Sequence, residues 1–297
     1  MVPAAIRGHH HRMQVNTAGV TAEASPATGY PYLDAVLDQP GSVIAMAHRG
    51  GALHPDIPGA ENTLHAFRHA VSLGYRYLET DVHTTSDGVL VAFHDESIDR
   101  VTDSVGLLAE LTAEQVSLAR IRREHAVPTM VELLEEFPDC RFNIDLKSAG
   151  AVASLVALLD LTAAHDRVCV GSFSGRRIRA FRRASAGRVA TSAAPSEVAG
   201  VRFRVPAPHR EAAALQVPWK HKRRRLTITT PGLVRRAHRA GLHVHVWTGD
   251  EASQWVSIDE PESLHTLLDM GVDGVITDRT DVLKEVLVER GQWRDHP

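Results

Sequence analysis

A closed (β/α)8 barrel of the TIM type is the fold class that this 297-residue sequence predicts, and three observations predict it. Short β-branched runs alternate with segments of helical period, the pattern of a parallel sheet built from βαβ units. The alternation supplies about eight units over roughly 260 residues, the usual extent of a one-domain barrel. Neither G-x-G-x-x-G nor G-x-x-x-x-G-K-[ST] occurs, so the phosphate loops of nucleotide-binding open sheets are missing.

Taken in order, strands are expected at 43–48, 77–82, 89–94, 142–147, 167–173, 188–193, 214–217, 243–248 and 274–278. Segments 77–82 and 89–94 read as neighbours joined by the turn Ser86-Asp87-Gly88, which leaves eight strands of barrel type. Helices are expected over Thr63–Leu73, Thr129–Phe137, Ala151–Ala164, Gly175–Ser185, Pro231–Ala240, Glu260–Met270 and Asp281–Glu289. Residues 95–128 break the rhythm and read as an insertion after the second strand region. Their run LLAELTAEQVSLARI is helix-like, with a capping-box pattern at Thr112–Gln115.

Residues 1–30 lack sustained periodicity and are rich in Ala, Gly, Thr and Pro, so they read as a disordered tail ahead of a barrel domain at 31–297. Met13 offers an alternative start of translation. The triplet His9-His10-His11 has no carboxylate beside it and reads as incidental. No apolar core of about 7–15 residues follows Arg7, so a secretory signal is not expected and a cytoplasmic location is. No stretch of about 18 apolar residues occurs, which argues against a transmembrane helix. The formal charge of −3 and the 5% aromatic content provide neither a basic field nor stacking platforms for nucleic acid. The two cysteines, Cys140 and Cys169, fit no metal or disulfide spacing.

Barrel enzymes work at the C-terminal ends of their strands, so polar residues there are the candidates. In strand 77–82 a period of two puts Glu79 and Asp81 on one face, opposite Leu78, Thr80 and Val82. In 142–147 it puts Asn143, Asp145 and Lys147 on one face, opposite Phe142, Ile144 and Leu146. Inward charge at two strand tips needs a compensating ion or ligand. The hard oxygens of Glu79, Asp81 and Asp145 suit Mg²⁺ or Ca²⁺ better than zinc. His48 ends the first strand before Arg49-Gly50-Gly51, and His94 ends 89–94. Two imidazoles beside a divalent cation can act as general acid and base at phosphorus. Arg49 and Lys147 would hold phosphoryl oxygens. Of the 18 histidines these two are expected to do chemistry. His83 is a distant third, and His243 and His245 are expected to pack inside the barrel.

The ordered set His48-Arg49-Gly50, Glu61-Asn62-Thr63, Glu79-x-Asp81, His94-Asp95, Asp145-x-Lys147, Val246-Trp247-Thr248 and Thr277-Asp278 resembles the motifs of glycerophosphodiester phosphodiesterases, over roughly residues 31–292. The resemblance implies a (β/α)8 barrel with a small insertion. It also implies divalent-metal hydrolysis of glycerophosphodiesters to glycerol 3-phosphate and an alcohol. Carried over residue by residue, it places the acid–base pair on His48 and His94, the metal on Glu79, Asp81 and Asp145, and phosphate on Arg49 and Lys147. Trp247 would line the pocket where the glycerol lies, and Mn²⁺ joins Mg²⁺ and Ca²⁺ as a candidate ion. The attacking group is either the glycerol 2-hydroxyl or water.

Two features depart from the family pattern. Asp145 stands where the family often has Glu, one methylene longer. Gly249–Ser257, with Trp255, reads as an inserted exposed loop at the mouth. Glu61 either belongs to the site or caps the helix that begins near Thr63. A lysophospholipase D acting on lysophospholipids and an inactive phosphodiester-binding barrel are the competing readings. The basic run 220–225 offers a contact for a membrane surface but reads better as a solvated loop. The expected partner is a small-molecule glycerophosphodiester, and the oligomeric state is left open.

Overall fold

The computed structural model of the chain describes residues 25–35, 39, 41–203, 211–224, 226–249 and 253–294. Eight parallel strands form the barrel: β1 (Ile44–Ala47), β2 (Tyr77–Thr84), β6 (Arg141–Leu146), β7 (Val168–Gly171), β8 (Ala190–Thr191), β9 (Ala214–Pro218), β10 (His243–Trp247) and β11 (Gly274–Thr277). β3 (Leu90–Ala92) lies outside this ring as an antiparallel hairpin partner of β2, with His83 opposite Val91. The ring is nearly closed at its thinnest point. There Ser192 bridges Ala214, and the Ala193 N–H donates to the Ala214 carbonyl at 2.8 Å.

Strand parity sorts the side chains. Ile44, Met46, Tyr77, Cys169, Ala190 and Ile276 form one inner cluster. Leu78, Val82, Phe142, Ile144, Leu146 and Val246 belong to the larger cluster packed under the helices. Alternate residues therefore point into the barrel, as a period of two requires. Both cysteines are buried and unpaired.

The outer helices are α2 (Leu64–Ser72), α4 (Met130–Glu136), α5 (Ala151–Thr162), α6 (Gly175–Ala184), α7 (Pro195–Phe203), α8 (Pro231–Arg239), α9 (Pro261–Asp269) and α10 (Thr280–Glu289). Thr63 caps α2, and Thr129 closes a capping box with Glu132 on α4. Two helices escaped the sequence analysis. α7 carries Gly200 and has little amphipathic contrast, so its periodicity is weak. α1 (Pro31–Asp34) is one turn long, yet its Tyr32 and Leu33 are fully buried under the inner cluster.

Residues 1–24 lie outside the described residues, whereas 25–30 are held against the body. The Ser25 hydroxyl donates to Asp273 at 2.5 Å, and the Pro26 carbonyl meets His243 Nε2 at 2.8 Å. His243 and His245 are fully buried inside the barrel, and burial pushes His245 down to about 3. The insertion forms α3 (Ala113–Leu118) and a ribbon of β4 (Arg120–Ile121) and β5 (His125–Ala126). The expected longer helix is limited to 113–118, because Leu108, Val116 and Ile121 serve a separate small core with Phe93 and Ile98. No helix among the described residues is long and apolar enough to cross a membrane.

Candidate active site

The strand register assembles the site. Ala47 at the end of β1 faces Leu78 on one side and Thr277 on the other. One residue further on, His48 sits between Glu79 and Asp278. Its Nδ1 lies 2.8 Å from Asp278 Oδ1, and its Nε2 lies 3.8 Å from Glu79 Oε2. Burial opposes the charge on His48, but Asp278 and Glu79 outweigh it and push the imidazole up to about 9.

The chain turns at once after His48. Arg49, Gly50 and Gly51 all have positive φ. A side chain at Gly50 would meet Ala66 at 2.7 Å, so glycine lets the turn lie against α2. The turn aims the Arg49 N–H at Glu79 Oε2, 3.1 Å away. Arg49 Nε lies 3.1 Å from Asp81 Oδ2, and its Nη1 lies 3.4 Å from Glu61.

Asp81 faces Asp145 across the β2–β6 pair, as Glu79 faces Asn143. Lys147 Nζ joins the two aspartates, 2.9 Å from Asp81 and 2.7 Å from Asp145. Asn62, in the left-handed region at φ 56°, donates to Asp81 at 3.3 Å and accepts from Thr80 at 2.8 Å. Burial and the neighbouring Asp81 push Glu79 up to about 7. For Asp81 the burial cost is overridden by Lys147 and Arg49, which hold it far below the carboxylate range.

His94 follows the β2–β3 hairpin, where the Phe93 N–H donates to the Asp81 carbonyl at 2.9 Å. Its Nδ1 is 2.6 Å from Asp95 Oδ1. Burial, Arg49 and Lys147 hold the imidazole below its ordinary value despite the pull of Asp81. Asp95 in turn accepts from Arg100, whose other nitrogens reach Glu61 at 2.7 and 3.0 Å. The insertion thus supplies Arg100 to the same network. His83 contributes indirectly: its Nε2 lies 3.1 Å from the His94 carbonyl.

Trp247 stands at the rim, with Phe173 on one side at 5.8 Å and Trp255 on the other at 5.8 Å, both edge to face. Trp255 is half-buried rather than exposed. Its segment is zipped to the basic loop, since the Lys222 N–H donates to the Gln254 carbonyl and the Val256 N–H to the Lys220 carbonyl. Within that loop Lys222, Arg223 and Arg224 are exposed. Residues 225 and 250–252 lie outside the described residues.

All eight residues singled out from sequence therefore gather at the C-terminal ends of β1, β2, β6 and β10 and after β3. Glu61 pairs with Arg49 and Arg100, while Thr63 caps α2, so the capping alternative for Glu61 is overturned. Asn62, Asp95 and Asp278 stood in the motifs read from sequence without a role, whereas Arg100, Phe173 and Asp259 were not expected at this end of the barrel. Asp259 accepts from Thr248 at 2.6 Å and from Thr277 at 2.5 Å, which fixes the turn that carries Asp278. An acid just after the last strand, next to the first strand by barrel closure, was the available signal for Asp278.

The sequence and the barrel both have known relatives. Residues 48–282 match the glycerophosphoryl diester phosphodiesterase family. The chain is 39% identical over 261 residues to the probable glycerophosphodiester phosphodiesterase 2 of Mycobacterium tuberculosis, covering 85% of this chain and 94% of that one. The crystal structure of a glycerophosphodiester phosphodiesterase from Agrobacterium tumefaciens superposes with a TM-score of 0.66 at 22% identity, over 81% of this chain and 99% of that one. A phosphodiesterase of Oleispira antarctica, solved with the product sn-glycerol-3-phosphate, gives 0.67 at 22% identity, over 82% and 96%. At that identity the two structures establish the shared barrel, while the sequence match establishes descent. The chain belongs to the glycerophosphoryl diester phosphodiesterase family and is a phosphoric diester hydrolase.

Proposed function

We propose that this chain hydrolyses glycerophosphodiesters to glycerol 3-phosphate and an alcohol, with His48 and His94 as the acid–base pair and a divalent cation held by Glu79, Asp81 and Asp145. One observation carries the reading. Two imidazoles, each oriented through Nδ1 by its own carboxylate, flank a buried cluster of carboxylates and cations at the catalytic end of the barrel.

The donor chemistry suits a hard cation. Its three carboxylates project from neighbouring strands, and Asp145 Oδ1 is buried without a hydrogen-bond partner. Bound there, Mg²⁺, Ca²⁺ or Mn²⁺ would stabilise the charge that develops on a non-bridging phosphate oxygen. Arg49 and Lys147, held here by carboxylates, offer the remaining positive charge to the phosphodiester. His94, kept neutral by burial and the nearby cations, takes the proton of the attacking water, or of the glycerol 2-hydroxyl, in which case a water then opens the resulting cyclic phosphate to glycerol 3-phosphate. The P–O bond to the alcohol breaks, and His48, flanked by Asp278 and Glu79, returns a proton to the leaving oxygen. Trp247 and Phe173 form the rim beside Lys147, where the organic part of the substrate would lie.

The test is a panel of glycerophosphodiesters assayed after chelation and then with each cation. Chelation abolishes turnover, and a hard cation restores it with glycerol 3-phosphate as product. Turnover that survives chelation overturns the metal assignment. Faster cleavage of lysophosphatidylcholine than of glycerophosphocholine overturns the substrate class.

A pH profile checks the proton roles. The Asp95 carboxylate favours the His94 imidazolium, so Asp95→Asn lowers the His94 pKa further. The acidic limb of kcat/KM, which reports loss of the neutral base, then moves to lower pH. Movement of the alkaline limb instead would make His94 the acid.

A further inference from the structure

A second group of metal-ligating side chains lies outside the catalytic carboxylates. His54 and Asp56 sit in the loop between the His48 turn and α2, and His69 sits on α2 itself. One potential ligand atom from each lies within 4.8 Å of the others, the one such group of three among the described residues. We propose that His54, Asp56 and His69 form a second metal site that takes a zinc-class transition ion and ties the 51–60 loop to α2.

The distances are those of a coordination sphere rather than of hydrogen bonds. Asp56 Oδ2 lies 3.6 Å from His69 Nε2 and 3.9 Å from His54 Nδ1. Zinc bonds of about 2.0–2.1 Å in tetrahedral geometry place ligand atoms roughly 3.4 Å apart. Closing both gaps takes a small rotation of Asp56, which is 74% exposed and free to make it.

The histidines are presented for binding. His54 is buried, and its Nδ1 accepts the Asp56 N–H at 3.1 Å. That nitrogen is therefore the unprotonated one, and metal ligation would replace the N–H contact. The His69 ring packs 4.3 Å from the His54 ring, with its Nδ1 buried and unpartnered. Among the described residues no partner fixes His69 Nδ1, and its Nε2 faces the Asp56 carboxylate.

The donor chemistry separates the two sites. Two imidazoles and one carboxylate suit Zn²⁺, Co²⁺ or Ni²⁺, whereas the all-carboxylate site suits Mg²⁺ or Ca²⁺. The consequence is structural. The loop leads directly into Glu61 and Asn62, which hold Arg49 and Asp81. An ion joining Asp56 to His69 would brace that segment from outside without touching the reacting atoms.

The experiment uses the full chain with His9, His10 and His11 replaced by alanine, since three consecutive imidazoles bind zinc in any conformation. The protein is stripped with chelator and saturated with Mg²⁺, and Zn²⁺ is titrated in by calorimetry. Co²⁺ is followed by its visible absorption. One Zn²⁺ per chain is expected, with a rise in melting temperature. Asp56→Asn and His69→Gln each weaken binding at least tenfold and remove the thermal shift, while their Mg²⁺-supported hydrolysis is unchanged. Glu79→Gln, which alters the other donor set, keeps the zinc. Zinc bound equally by the Asp56 and His69 variants, zinc lost in Glu79→Gln, or no zinc bound overturns the proposal. None of these outcomes depends on which phosphodiester the enzyme cleaves.

Discussion

His48→Ala and His94→Ala each lower kcat by about 10²–10⁴, the usual contribution of one positioned acid or base. The two losses combine less than multiplicatively, because both imidazoles serve one proton-transfer sequence. His48 shows the larger structural dependence, since Asp278 and Glu79 both face it. Its alanine variant leaves Asp278 without the 2.8 Å partner that now satisfies it. Single-turnover measurements on a well-folded variant, checked by circular dichroism, separate chemistry from binding. Near-full turnover in both alanine variants would remove the two-histidine mechanism altogether.

Arg182→Ala destabilises the barrel by about 3–5 kcal/mol, the cost of breaking a buried ion pair by removing one partner. Arg182 projects from α6 and is 6% exposed. It meets both Glu197 oxygens at 2.7 and 3.2 Å, Thr191 at 2.8 Å and the Ser192 carbonyl at 3.1 Å. These partners lie on β8, just after it, and on α7, beside the two-residue strand where the ring closes through a single bridge. Among the described residues the buried Glu197 carboxylate would then be left with the Ala194 N–H. The melting temperature should fall by roughly 5–8 °C for a chain of this size. The double variant Arg182→Met with Glu197→Leu should recover much of that loss, since a packed apolar pair replaces a desolvated ionic one. An unchanged melting temperature in Arg182→Ala would show that the seam is held by other contacts.

The barrel was legible because its determinants are local and repeated. Apolar alternation in 77–82 and 142–147 announced which residues face inward, and the structure places Leu78, Phe142, Ile144 and Leu146 under the helices. The cap residues Thr63, Thr112 and Thr129 marked helix starts within one residue. Short elements escaped for the converse reason. α1 has a single turn, and α7 lacks a distinct apolar stripe, so neither has a period to read. Both are held by burial, which is a property of the assembled molecule.

For the site, residue identity was local and partnership was not. Strand parity and strand ends were enough to nominate His48, Glu79, Asp81, His94, Asp145 and Lys147, because an inward charge at a strand tip needs a chemical reason. The partners of those residues depend on closure of the ring, which sets β11 beside β1 and so brings Asp278 to His48 across 230 positions of sequence. Arg100 reaches Glu61 only because the insertion folds back over the barrel end on its own small core. Trp255 is drawn from the surface by the zipper between residues 220–222 and 253–256. The sequence by itself thus determined the barrel, the face each strand turns inward and the chemistry carried at each strand tip. The tertiary structure alone decided which carboxylate orients which imidazole and how far each is desolvated. Periodicity acts over a few residues, whereas electrostatic environment is set by whatever the closed fold brings within about 4 Å.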